Sequence, residues 1–208
     1  MKTNLLILLF TLPLRAEEIG QTPLPSPDGA AKISLISVTN IRLKYETEPE
    51  APILLLTKNS VVPLAAFATK AGVNQGAWTG SSRYLFLATG NSKDQELVVV
   101  YEKSGIFHHE GVSLESLYEF GEKNLPNSVG IPSGSMPHDG IAEIRSGKND
   151  SVTILYHRTK YPKSFVVPVT LTVADGKQPS EVSMSFGDIT WVEKWEDPLP
   201  TLDKLKPK

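Results

Sequence analysis

Two segments of this chain, Tyr84-Leu85-Phe86-Leu87 and Leu97-Val98-Val99-Val100, are apolar at every position, and the polar stretch Gly90-Asn91-Ser92-Lys93-Asp94 lies between them. A strand with one wet face alternates apolar and polar residues, so an unbroken apolar run of strand length implies cover on both faces. Residues 83–88 and 96–101 are therefore expected to be central strands of a packed sheet, joined by a turn. Whatever this chain folds into must place other layers on both sides of that pair.

The rest of the sequence supplies further strand-length segments. Residues 32–38 and 41–45 are strand candidates, the second with Ile41, Leu43 and Tyr45 on one face and Arg42 and Lys44 on the other. Short apolar runs follow at 53–56 and 61–68, with Pro63 marking a strand start or an edge because it has no N–H to donate. Residues 141–145 and 152–156 flank the turn Ser146-Gly147-Lys148-Asn149-Asp150 as a hairpin. Residues 165–173 and 182–186 alternate apolar residues with Thr and Ser around Asp175-Gly176, which predicts a second hairpin with a wet hydroxyl face; Pro168 predicts that its first strand lies at an edge. A last strand is expected over 189–195, carrying Trp191 and Trp195.

Helical spacing occurs once, at Leu114, Leu117 and Tyr118 within 113–120, with Ser113 as its cap. The segment 121–139 is rich in Gly, Pro, Ser and Asn; it reads as a loop, unusually long for a compact domain, and is the default place to look for function. About ten strand candidates against one short helix predict an all-β fold of antiparallel sheets. The closure is expected to be propeller-like, complete or partial, with a sandwich as the alternative.

The propeller expectation comes from a resemblance. Ser26-Pro27-Asp28-Gly29 before Ala30-Ala31-Lys32-Ile33, and Trp78-Thr79-Gly80-Ser81-Ser82-Arg83-Tyr84-Leu85 before the apolar pair, resemble the blade openings of WD40-like and TolB-like β-propeller repeats. Tyr101 followed by Glu102-Lys103-Ser104-Gly105 is similar to the continuation of such a blade. The resemblance spans residues 26–105 and departs from the pattern at Gly80 and Ser81. The two openings lie about 50 residues apart, against the 40 to 45 of an ordinary WD40 repeat. It implies a propeller in which each opening turn leads into the innermost strands of a blade and four blades would nearly exhaust the mature chain, with the scaffold or peptide-binding roles common in periplasmic members, some of which are hydrolases.

Lys2, the apolar run from Leu5 to Leu14 and the small Ala16 before Glu17 have the form of a secretory leader, so residues 1–16 are expected to be removed on export. The run is roughly half of the ~20 residues that a membrane-spanning helix needs, so no transmembrane anchor is expected in the mature chain. Residues 17–29, with Pro23, Pro25 and Pro27, read as a Pro-rich linker, 30–195 as one β-rich domain, and 196–208 as a charged, Pro-containing tail that frays. The 208 residues include no Cys, which excludes disulfides and thiolate metal sites. Removing the leader takes away Lys2 and Arg15 and no acid, leaving 19 basic residues against 23 acidic ones, a net charge of −4. That balance offers no basic stripe for nucleic acid.

Few residues suggest chemistry. His108, His109 and Glu110, with His138, Asp139 and His157, are the candidate metal or acid–base groups, but neighbouring histidines on a strand point to opposite faces and do not share an ion. Ser133 and Ser135 near His138 lack the Gly-x-Ser-x-Gly elbow. Asp139 with Glu143, or Glu110 with Glu115, would have to face each other across a cleft to hydrolyse glycans, with Trp191 and Trp195 as stacking platforms. No phosphate loop or EF-hand is present, and no cofactor, catalytic residue or metal ligand is assigned. The function expected is an exported, non-enzymatic binding or scaffold protein of the periplasm or cell envelope, or a secreted one. Its partner would be a protein or an envelope component, met through loops at one end of the sheets. The alternative is a glycan or peptide hydrolase with its site near His109 and Asp139.

Overall fold

The structure, a computed structural model, describes residues 24–35, 53–57, 61–63, 73–89, 95–126, 138–160, 163–192 and 198–205. The leader, the strand expected at 41–45, the turn 90–94, the segment 127–137 and Trp195 lie outside the described residues. Within them the fold is all-β and antiparallel, as expected.

The strands form three sheets in chain order. The first contains β1 (Leu24–Pro25), β2 (Ala31–Leu35), β3 (Ile53–Thr57) and β4 (Val61–Pro63). The second contains β5 (Val73–Trp78), β6 (Tyr84–Thr89), β7 (Glu96–Lys103) and β8 (Ile106–Val112). After the helix α1 (Glu115–Asn124), the third contains β9 (His138–Ser146), β10 (Ser151–Lys160), β11 (Lys163–Val173) and β12 (Val182–Phe186), with the short β13 (Thr190–Val192) beside β11. In each sheet the first four strands form a meander, each pairing with its neighbour in sequence, and β13 departs from it by pairing with β11. The leading strands of successive sheets are neighbours, β1 beside β5 and β5 beside β9.

The apolar pair lies in the middle of the second sheet, as β6 and β7, with Phe86 opposite Val99 and Leu87 opposite Val98. Phe86, Ala88, Leu97 and Val99 pack on the third sheet, against a layer that includes Ile144, Ile154, Val167 and Val169. Leu85, Leu87, Val98 and Val100 point the other way and are also buried, so both faces are covered. Burying one such side chain contributes about 1.5–3 kcal/mol, which makes this contact the main source of stability in the described residues.

Three turns join the sheets at one end. The turn after each leading strand contains a left-handed residue: Gly29, Ser82 and Asn149. The Asp28 N–H donates to Ser82 Oγ at 3.1 Å, and the Ser81 N–H donates to the Asn149 carbonyl at 2.8 Å. In both, the residue before the left-handed position reaches the left-handed residue of the following turn. Asp28 also closes its own turn by accepting from Ser26 Oγ at 2.6 Å and from the Ala30 N–H at 2.9 Å. Arg83 extends the series, its Nε donating to Asp150 at 3.1 Å, and it also reaches Asp175 at 3.4 Å.

Several expectations are corrected. Pro168 does not mark an edge: β11 pairs with β10 along its whole length, and with β12 and β13 on its other side. The Pro168 carbonyl accepts from Gly187 N at 2.8 Å on that second side, so its donor-less nitrogen faces the gap between the two short strands, where no N–H is needed. Leu24 and Pro25, placed in a linker by composition, pair with β2. Residues 121–124, expected in a loop, complete the helix, and His138 and Asp139 begin β9. Leu114 occupies the cap position of that helix; Ser113, one residue earlier, accepts from the Glu115 N–H at 3.3 Å.

A Cβ on Gly80 would stand 2.7 Å from the Gly147 carbonyl oxygen, a backbone atom that cannot step aside alone. Gly80→Ala is expected to destabilise the fold by about 1–3 kcal/mol, read as a lower urea midpoint. An unchanged midpoint would mean that the turns of the second and third sheets are not packed together.

Candidate functional site

At the end of the sheets opposite those turns, polar groups meet beneath the helix. Along β10 the core-facing positions run Val152, Ile154, Tyr156, Arg158 and Lys160, so an apolar stripe becomes charged within one strand. Arg158 is only 3 % exposed and its guanidinium is shared three ways. Nε donates to the Leu125 carbonyl at 2.9 Å, Nη1 to Asp139 at 2.8 Å and Nη2 to Glu122 at 2.7 Å. Lys160, 6 % exposed, donates to the Pro126 carbonyl, and the Tyr156 hydroxyl donates to Asp139. Two cations thus satisfy carbonyls just past the C-terminal end of α1, where the helix dipole is negative.

The helix approaches closely because it presents Gly121 to β10, where a Cβ would collide with the Tyr156 hydroxyl. Phe120 stacks on Phe186 with ring centroids 4.3 Å apart and meets Phe165 edge-on at 6.2 Å. Burial, and then the hydrogen bond to Asp139, hold the Tyr156 phenol far above its ordinary pKa. Burial likewise raises Tyr118, with the charge of Asp139 adding to it. Phenols held in this way donate hydrogen bonds and do not act as bases.

A second cluster joins β8 to the turn before β12. Ser180 Oγ donates to Glu110 at 2.5 Å, and the Tyr101 hydroxyl donates to the same carboxylate. These two bonds, Ser180 first, hold the Glu110 carboxyl below its ordinary pKa, and Glu110 in turn pushes the Tyr101 phenol up to about 12. His108 stacks on Tyr101 at 5.7 Å.

The structure separates the candidate residues. His108 and His109 lie on β8, both exposed, while Asp139 lies on β9 in another sheet with its carboxylate held by Tyr156 and Arg158. The backbone of His138 pairs with Thr159. Among the described residues, no group of three or more His, Asp or Glu side chains has the geometry to hold a metal ion. Glu143 does not face Asp139: it accepts from Arg145 and, at 2.8 Å, from the Leu202 N–H. Glu110 engages Ser180 and Tyr101. Trp191 meets Phe165 edge-on at 5.6 Å and is 50 % exposed.

Arg158, Glu122 and Lys160 were not singled out by the sequence. A signal for them existed: Arg158 and Lys160 continue the alternation of Val152, Ile154 and Tyr156, which places charge in core phase. Comparison with family models, with curated proteins and with solved structures finds no match. Among the described residues, no helix is long and apolar enough to cross a membrane.

Replacing Arg158 by Leu strands Asp139 and the Leu125 carbonyl, and is expected to cost about 3–5 kcal/mol in denaturant unfolding. Arg158→Lys keeps the charge but not the three-way fork, so it should fall between the two; a Leu variant as stable as the parent would refute the clamp. Because the Glu110 pKa is depressed, its contribution is present above the ordinary glutamate pKa and disappears as pH falls through the depressed one. Glu110→Gln is therefore expected to be less stable than the parent at neutral pH and to converge with it in acid, in urea midpoints across that range. In the same variant the Tyr101 titration, followed by its own ring resonances in NMR, should move down from about 12 toward 10, the ordinary phenol value.

Proposed function

We propose that this chain is an exported, non-enzymatic binding or scaffold protein of the periplasm or cell envelope, built on a partial, propeller-like fan of three blades, two of four strands and one of five. The three sequential meanders, their adjacent leading strands and their equivalent left-handed turns support the blade reading over a two-sheet sandwich. The Lys2 to Ala16 leader supports export.

One observation carries the binding assignment. Trp191 and Tyr118, two of the three large apolar side chains exposed among the described residues, belong to the end where β9 begins and α1 packs, and a wide polar network braces that end from below. Exposed aromatics on a rigid base suit recognition of a protein or another envelope component. Ile106, the third, lies beside the turn at the opposite end. The hydrolase alternative has less support, because Asp139, Glu143 and Glu110 are all spent on internal contacts.

A photo-crosslinking amino acid placed at 118 or 191 in the exporting cell is expected to give a discrete adduct with an envelope component, and the same group at 106 to give none. Equal labelling at all three positions, or at none, would refute the assignment. Retention of residues 1–16 on the native protein, read by mass spectrometry, would refute export.

A further inference from the structure

The outer face of the third sheet carries an apolar strip that the core does not use. Leu155 and Val166 alternate with the core-facing Ile154, Tyr156, Phe165 and Val167, so they point away from the second sheet, yet they are 1 % and 0 % exposed. Something lies over them. On the same face Leu155 stands between Glu143 and Pro168 on the neighbouring strands. The described chain seen at that face is the segment 198–205, which composition placed in a fraying tail. Its Leu202 N–H donates to Glu143 at 2.8 Å, and Asp203 takes both terminal nitrogens of Arg145, one at 2.8 Å. Leu199 and Leu202 are half-buried.

The attachment is weak for what it covers. The Asp203 carboxylate is 74 % exposed, and ion pairs of this kind are screened by salt and hold little. Beside these contacts Leu155 and Val166 are buried on paired strands, and Arg145 borders them.

We propose that the outer face of the third sheet is a peptide-binding strip and that residues 198–205 are its displaceable internal occupant. The strip takes a partner segment of the same chemistry: spaced leucines to cover Leu155 and Val166, followed by a carboxylate for Arg145. The inference rests on the binding-protein reading, but it uses a surface other than the end carrying Trp191 and Tyr118, so either assignment can fail while the other stands. The strap keeps the strip closed until a competing segment, present at high local concentration, replaces it.

The test uses the full chain and a fluorescent synthetic peptide spanning residues 198–208. Asp203→Lys places like charges at Arg145 and should free the strap. This variant is expected to bind the peptide saturably and at least about tenfold more tightly than the parent chain, a difference of ~1.4 kcal/mol. A scrambled peptide should not bind, and adding Arg145→Ala should abolish the gain. No gain in Asp203→Lys, or a gain indifferent to Arg145 or to peptide order, would overturn the proposal. Hydrogen exchange in the unmodified chain decides independently of any variant: amides at 199–205 should exchange much faster than those of β10 and β11, and equal protection would show a strap that does not leave.

Discussion

The dry contact between the second and third sheets is the interaction on which the rest of the described structure depends. Phe86 and Val99 on one side, with Ile154, Val167 and Val169 on the other, remove a continuous apolar surface from water. No other described contact buries as many large side chains, and three polar features are arranged around its rim. The series of turns closes one end, the Arg158 fork closes the other, and the Glu110 bonds tie β8 to the turn before β12. Each of these would contribute little in open water. Beside an already formed apolar layer, each fixes how one sheet lies on the next.

The same arrangement engages the candidate acids in internal contacts. A catalytic carboxylate needs an approach path for substrate and a pKa suited to proton transfer. Asp139 lies under the helix, accepting from a phenol and a guanidinium. Glu110 is held in its charged form by two hydroxyl donors. Both groups act as braces between neighbouring elements. Exposed aromatic side chains lie at one end of the fold, Tyr118 and Trp191.

Parts of this were legible and parts were not, for identifiable reasons. The segments 83–88 and 96–101 were readable because burial on both faces leaves an unmistakable run. The hairpin strands 152–156 and 165–173 were readable because one face alternates. Strand β5 escaped because Val73-Asn74-Gln75-Gly76-Ala77-Trp78 has no clean period; its Gln75 is spent donating to the Ala142 carbonyl of the next sheet. Strand β8 escaped because Ile106-Phe107-His108-His109-Glu110-Gly111 is the polar outermost strand, paired with β7 alone. Pro168 misled because edge position is one way to tolerate a proline, and a gap between two short partner strands is another.

Local pattern determined the all-β class, the central strand pair, the hydroxyl-rich face and the lack of any sulfur chemistry, since each follows from side-chain periodicity or from composition alone. Tertiary structure decided which charges are buried together. The register shift opposite Leu155 and Tyr156 leaves Ala142 unpaired, and this turns Asp139 into the same phase as Ile144 and hence toward Arg158. Strict alternation from Ile144 would have sent Asp139 to the outer face. A one-residue irregularity in a strand has no signature in composition, yet it reassigns every side chain beyond it, so the clamp existed only once β9 had paired with β10 and the helix had packed on them.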